Sequence, residues 1–296
     1  MESRMLSSPA TAQTHEAPPA QALSTNRVVT AVEHIRPMRG GSQPHLMRCS
    51  DGHYYVVKFR NNPQGSRILV NEHVAGKLAK LLGLPCPETC FVRVREDLVR
   101  LTPGLAIELR SRKVPVEPGL TFGSQYPSYQ NDHGRRLGSV FDFHLSGIAE
   151  QVENLSDFLG ILMFDKWTCN TDHREVVFLP RWTTLGTRYR MMMIDNGFCF
   201  NGINWSFPNS PILGLYHDRT VYRNIEGIKS FEASLGQLEL KATYEELMKI
   251  AEGIPADWLA GEASSLSRLL ECLFRRKKIV PELLQQILAM GKGFSS

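Results

Sequence analysis

The sequence has no pair of cysteines at CxxC spacing: its six cysteines stand at 49, 86, 90, 169, 199 and 272, which argues against a zinc knuckle or a dithiol redox site. It has no apolar run long enough to span a membrane. Met1 to Ala20 lacks the apolar core of a signal peptide. Free thiols, a reducing cytoplasm and no membrane attachment are therefore expected. An excess of one charge is missing too, because 34 basic and 30 acidic residues leave a net charge of +4. The only dense basic cluster, Arg275, Arg276, Lys277 and Lys278, lies between apolar segments. It reads as a solvated helix end, and nucleic-acid binding is not expected there. Large apolar residues are nearly absent from Met1 to Ser24, where Ala, Pro, Ser, Thr and Gln cannot offset chain entropy. Residues 1–25 are expected to form a disordered tail.

What the chain does contain is 296 residues with 42% hydrophobic content, enough for one large core or two modest lobes. Short β-like runs come first: Val28 to Ile35, His45 to Cys49 and His53 to Phe59, the last two joined by the hairpin signal Asp51-Gly52. Val70, Val74, Leu78, Leu81 and Leu82 recur at helical spacing over 68–82, and Gly83 and Pro85 end that helix. Phe91 to Val94 and Leu105 to Leu109 are expected to complete a small antiparallel sheet. Pro115, Pro118 and Gly119 mark a boundary, which gives a first lobe over 26–113 and a second over 114–296.

In the second lobe Leu155, Phe158, Leu159, Leu162, Met163 and Trp167 form one helix face, capped by Asn154 or Ser156. Glu175 to Leu179 and Arg188 to Ile194 read as a hairpin turning near Gly186. The rest is helical: Thr243 and Glu246 resemble a capping box, 265–274 has apolar helical spacing, and Pro281 opens a last helix. A sheet-rich lobe followed by a helical one is the α+β pattern.

Several residues fall in the order that phosphoryl transfer requires. Gly40, Gly41 and Ser42, between two strands, offer a backbone cradle for phosphates. Lys58 ends a strand and offers a cation; Glu72, 14 positions later on the helix, can hold its ammonium. An antiparallel hairpin brings its ends together, so Asp172 before the first strand and Asp195 after the second are expected to be neighbours. One carboxylate can bind a metal that bridges phosphates while the other orients a nucleophilic hydroxyl. Each residue alone also has a plain structural reading, as a solvated lysine, a surface helix charge or a turn-capping Asp.

With these residues placed, the chain from about Arg27 onward resembles the HipA-like kinases, a bacterial branch of the protein-kinase-like and phosphoinositide-kinase-like fold. Gly41, Ser42, Gln43, Pro44, His45, Leu46 resembles their phosphate loop, and Val56, Val57, Lys58, Phe59 the strand of the nucleotide-binding lysine. Asn71 and Glu72 resemble the start of the helix with the pairing glutamate, and Thr121 to Tyr126 a linker contacting nucleotide or substrate. Asn170, Thr171, Asp172, His173, Arg174 is similar to the catalytic loop, and Ile194, Asp195, Asn196, Gly197 to the start of the activation segment.

The resemblance implies a two-lobed protein-kinase-like fold and an ATP- and magnesium-dependent transfer to a hydroxyl, Ser or Thr of a protein being favoured over a small molecule. It makes Asp172 catalytic and Asp195, with Glu175 or Asn170, metal-binding. One departure stands out. Relatives carry a metal-binding Asn five positions after the catalytic Asp, where this chain has Val177. Two alternatives follow: a pseudokinase acting as an interaction module, as within a toxin-antitoxin system, and a register with Asp165 as base and Asn170 as metal ligand.

Overall fold

The computed structural model describes residues 27–131, 134–140, 149–184, 186–259 and 261–290; the expected tail lies outside them. The chain opens with β1 (Val28–Pro37), β2 (His45–Cys49) and β3 (Tyr54–Lys58), paired antiparallel in that order. Gly52, at φ +77°, makes the turn between β2 and β3, and the Asp51 carboxylate accepts the amide hydrogen of His53 at 3.0 Å. The helix α1 (Arg67–Leu81) follows and stops at Gly83, at φ +75°, whose amide donates to the Lys80 carbonyl. Next come β4 (Thr89–Val94), the short α2 (Glu96–Leu101), the hairpin β5 (Ala106–Leu109) and β6 (Arg112–Pro115), and β7 (Gly119–Tyr126).

Three expectations change here. The sheet is a closed barrel in the order β1-β2-β3-β7-β4, and it closes through a parallel pairing of β1 with β4. The run 105–109 pairs with β6 outside the barrel, and the fifth barrel strand is β7. The boundary expected after Lys113 therefore falls inside the first lobe, since β7 is hydrogen-bonded to both β3 and β4. Proline and glycine at 115, 118 and 119 punctuate the entry to a strand rather than a change of lobe. Gly123 shows why β7 fits: a β-carbon there would lie 2.5 Å from Val92 on β4.

Beyond a second small hairpin, β8 (Ser128–Asn131) with β9 (Gly134–Leu137), lies α3 (Asp157–Thr168), buried on nearly all sides. Ser156 precedes it without capping by its side chain, whereas Asn154 binds both Asp157 and the backbone of Met191. The strands β10 (Glu175–Thr183) and β11 (Gly186–Ile194) form a nine-pair ladder. α4 (Glu232–Lys241), α5 (Tyr244–Ala251), α6 (Ala263–Arg276) and α7 (Val280–Ala289) complete the second lobe. Thr243 caps α5 by accepting the Glu246 amide hydrogen.

Two cores result. The smaller fills the barrel with Val29, Met47, Tyr55, Val57, Phe59 and Val92. The larger joins Leu69, Val70 and Val74 of α1 to Phe158, Phe164, Trp167, Trp258 and Leu270 of the second lobe. The basic cluster at 275–278 is only partly solvated: Arg276 is buried against the carbonyls of Lys166, Phe207 and Pro208, and Lys277 is buried beside Glu239. All six cysteines are free thiols, and no described helix is long and apolar enough to cross a membrane.

Candidate active site

The site grows out of strand alternation. On β3, Tyr55 and Val57 point into the barrel core, so Val56 and Lys58 face the opposite side. On β10 and β11 the core takes Val176, Phe178, Met191 and Met193, leaving Glu175, Val177, Met192 and Ile194 on the other face. The two free faces meet across a cleft of about 320 Å³, closed by Phe122, Ser124, Gln125 and Tyr126 of β7 and by Pro127. Apolar walls at Val56, Phe122, Val177 and Met192 lead to a charged end at Lys58, Glu72, Glu175 and Asp195. This is the composition of a small-molecule site with a few placed polar groups.

At the charged end the Lys58 ammonium donates to both Glu72 and Asp195, the latter at 3.0 Å. Thr121 of β7 donates its hydroxyl to the Lys58 carbonyl and so fixes the base of the side chain. The other Glu72 oxygen accepts the Asn196 amide hydrogen at 3.1 Å. Burial would lower the Lys58 pKa, but the Glu72 and Asp195 carboxylates outweigh it and hold the ammonium charged. Burial would likewise raise Asp195, and Lys58 with the Gly197 amide instead holds it below the usual carboxylate range. Asp195 is 37% exposed, toward the cleft, and adopts a left-handed φ of +54°. That conformation, tolerated by Asp better than by most residues, turns the chain sharply off β11.

The structure distributes the expected site residues unevenly. Lys58, Glu72, Glu175 and Asp195 come together in the cleft. Gly40, Gly41, Ser42, Asn170 and Asp172 are not among the residues lining it. Ser42 is buried, whereas Gly40 and Gly41 are exposed, and a β-carbon on Gly41 would lie 2.5 Å from the Gln64 amide nitrogen. The end of β1 presents Arg36, and the β1–β2 turn presents Met38, Arg39 and Pro44, to the cleft instead. Sequence reasoning passed over both arginines, although a cation beside a glycine-rich turn is a usable signal.

Asn170 is buried and committed: its amide donates to Asp165 at 3.1 Å and its oxygen accepts the Asp172 amide hydrogen at 3.2 Å. That rules against its expected metal-binding role. Asp172 is exposed, its carboxylate accepting the His173 amide hydrogen at 2.8 Å. Its loop is tied to the segment of Asp195 on both sides. Thr171 donates its amide hydrogen to Phe198, and Arg174 donates to the carbonyls of Ile194 and Asp195 and to the Asn196 side chain. Arg174 is itself held by Asp165 through a two-pronged, fully buried ion pair. The sequence reading quoted Arg174 without seeing this role; the register of Asp165 as base is not favoured, because its carboxylate is consumed by Arg174 and Asn170.

A magnesium ion fits this donor set on one condition. Among the described residues no group of three or more His, Cys, Asp or Glu could hold a metal alone. Magnesium, however, is commonly held by one or two carboxylates together with substrate phosphates. Asp195, open to the cleft, and Glu175 beside it supply that protein share.

No curated protein sequence matches the chain. Among solved structures, the Helicobacter pylori proinflammatory kinase CtkA superposes with a TM-score of 0.53 at 12% identity, covering 88% of this chain and 98% of that one. HipA of Shewanella oneidensis MR-1, solved with HipB and operator DNA, gives 0.46 at 12% identity, covering 84% of this chain and 65% of that one. The superposition on CtkA shows a kinase-like fold. The family model described as HipA-like kinase matches residues 31–195, more than half of the chain and the whole stretch from β1 to the cleft aspartate, and so the chain belongs to the HipA-like kinase family.

Proposed function

We propose that the cleft binds ATP with magnesium and that the chain transfers the terminal phosphoryl group to a hydroxyl, Ser or Thr of a protein being the favoured acceptor. The observation that carries this reading is the ammonium of Lys58 shared by Glu72 and Asp195 at the charged end of an otherwise apolar cleft. In phosphoryl transfer the protein mainly positions groups and offsets charge. Glu72 orients Lys58 toward the phosphates. Asp195 and Glu175 would hold magnesium, which supplies charge neutralisation of the phosphate oxygens. The apolar walls at Val56, Phe122 and Met192 accept the base. Asp172, on its loop tied to the Asp195 segment, orients the acceptor hydroxyl and receives its proton.

A specific observation favours a second reading. Val177 lies buried in the cleft floor where relatives carry a metal-binding Asn, so an apolar side chain replaces an oxygen ligand. On that reading the chain binds nucleotide without turning it over and works through a protein partner, of the toxin-antitoxin kind among others.

The test is a thermal-shift titration with ATP, with and without magnesium, on wild type and Asp195→Asn, followed by an assay of ADP formation and of phosphate transferred to a protein acceptor. A ligand that binds only the folded state raises the melting temperature with concentration. A magnesium-dependent rise lost in Asp195→Asn, together with phosphate transfer lost in Asp172→Asn, supports the kinase. A rise without turnover supports the second reading. No rise under any condition overturns the nucleotide site.

A further inference from the structure

Resting on the nucleotide-binding reading, we infer that Arg36 and Arg39 grip the nucleotide's phosphates beside Lys58. Three observations lead there. First, the turn that follows Arg36 and carries Arg39 is held in one shape by its own hydrogen bonds. The Gln43 amide donates to the Gly40 carbonyl at 3.0 Å and the Met38 amide to the Pro44 carbonyl at 2.8 Å. The Gln43 side chain is locked to the backbone of Glu108 by two hydrogen bonds of 2.9 and 2.7 Å. The turn is therefore a fixed support for the two arginines, which line the cleft whereas Gly40, Gly41 and Ser42 do not.

Second, the charge at the end of the cleft does not suit a polyphosphate without further cations. Lys58 stands against the two carboxylates it is bonded to, Glu72 and Asp195, which leaves one negative charge. Both bonds of the Lys58 ammonium to side chains go to carboxylates. Arg36 and Arg39 are the other two cationic side chains among the described residues lining the cleft.

Third, both arginines line the cleft, both are exposed, and neither has a hydrogen-bond or ion-pair partner among the described residues. Most other arginines close by are engaged: Arg48 pairs with Glu33, and Arg60 with Asp257. A guanidinium beside a turn that flanks the nucleotide lysine can donate a two-pronged hydrogen bond to phosphate oxygens. Arg36 sits on β1 and Arg39 two residues past its end, and both line the same cleft as Glu175 and Asp195.

The experiment is isothermal titration of the full chain with ATP, ADP and adenosine, in magnesium, for wild type, Arg39→Ala, Arg36→Ala, the double variant and Arg39→Lys. Neither side chain is bonded within the fold, so unchanged melting temperatures of the free variants are expected and serve as the control. The expected result is at least a tenfold loss of ATP and ADP affinity in the double variant, with adenosine affinity within twofold of wild type and partial recovery in Arg39→Lys. The salt dependence of ATP binding should flatten in the double variant as well. ATP affinity within twofold of wild type in the double variant overturns the inference and leaves the nucleotide site standing. An equal loss for adenosine and ATP also overturns it, because the arginines would then act on the shape of the cleft. Failure of wild type to bind either ligand overturns the nucleotide reading itself.

Discussion

At the scale of single residues, Val177 and Asp165 carry the sharpest consequences. Val177 faces Met192 across the β10–β11 ladder and lines the cleft, so a polar side chain there would point into it. Val177→Asn is expected to tighten magnesium in the presence of ATP by a factor on the order of ten, the equivalent of one charge-assisted bond of about 1.5 kcal/mol. Magnesium titration at fixed ATP measures it, and an unchanged midpoint would mean that Glu175 already fills the ligand position. Asp165 and Asp172 separate by burial. The Asp165–Arg174 pair is wholly inaccessible, and removing one partner of such a pair costs roughly 3–5 kcal/mol by leaving a buried charge uncompensated. Asp165→Asn should therefore lower the urea midpoint strongly, whereas exposed Asp172→Asn should shift stability by no more than about 0.5 kcal/mol and lose turnover alone. A well-folded Asp165→Asn lacking activity, beside an active Asp172→Asn, would exchange the two roles.

At the scale of elements, α1 couples the cleft to the segment beyond Asp195. Glu72 takes the Asn196 amide hydrogen, and the neighbouring Asn71 donates to the carbonyls of Gly197 and Gly202 at 2.7 and 2.9 Å while accepting from the Trp205 indole at 2.8 Å. Arg67, one turn earlier, donates to the Ile203 carbonyl and lies over the Trp205 ring. The segment needs this support, because Phe200, Asn201 and Trp205 all hold left-handed backbone angles that cost energy for residues with side chains. Asn71→Ala leaves three polar groups unpaired, two of them deeply placed, and should cost about 2–4 kcal/mol. Its diagnostic readout is faster amide hydrogen exchange confined to residues 197–205. A uniform change over the whole chain would refute a local role.

Legibility in the sequence follows the same division. Elements announced by local chemistry were readable: the Asp51-Gly52 turn, the Gly83 stop, the Thr243 cap and the β10–β11 hairpin turning at Gly186. Lys58, Glu72 and Asp195 were readable because each has a fixed place on such an element. What depends on distant pairing was not. β7 begins among turn-forming residues and acquires its role only by bonding to β3 and β4, and Arg174 only by meeting Asp165 and the end of β11.

At the scale of the whole molecule, the two lobes are fastened where α1 and the barrel meet Asp257, Trp258 and Glu262. Trp258 donates its indole hydrogen to the Leu120 carbonyl of β7 at 2.9 Å, Ser66 donates to the Trp258 carbonyl, and Asp257 and Glu262 pair with Arg60 and Arg67. Between these fastenings lies His73, buried against Phe91 at 4.8 Å and Trp258 at 6.5 Å, with neither ring nitrogen hydrogen-bonded. Its pKa is lowered from 6.5 to about 3; burial is the main cause, Lys77 adds to it, and the Ile250 backbone opposes it. The folded state thus refuses a proton that the unfolded chain takes up below pH 6.5. Stability falls as pH drops from 6.5 toward 3, by about 1.4 kcal/mol per pH unit once the unfolded group is protonated. His45, lowered to about 4 by burial and by His34, contributes in the same direction, so only a comparison of variants isolates His73. His73→Phe keeps the aromatic packing and removes the titrating group. Denaturant unfolding at pH 7 and pH 5 should show the wild type losing about 1.5–2 kcal/mol more than His73→Phe between the two. The variant should be at least as stable as wild type at pH 7, where it removes two unpaired buried nitrogens. Equal losses would mean that the ring finds a partner for its proton, and the junction between the lobes would then be more open to water than its packing against Phe91 and Trp258 implies.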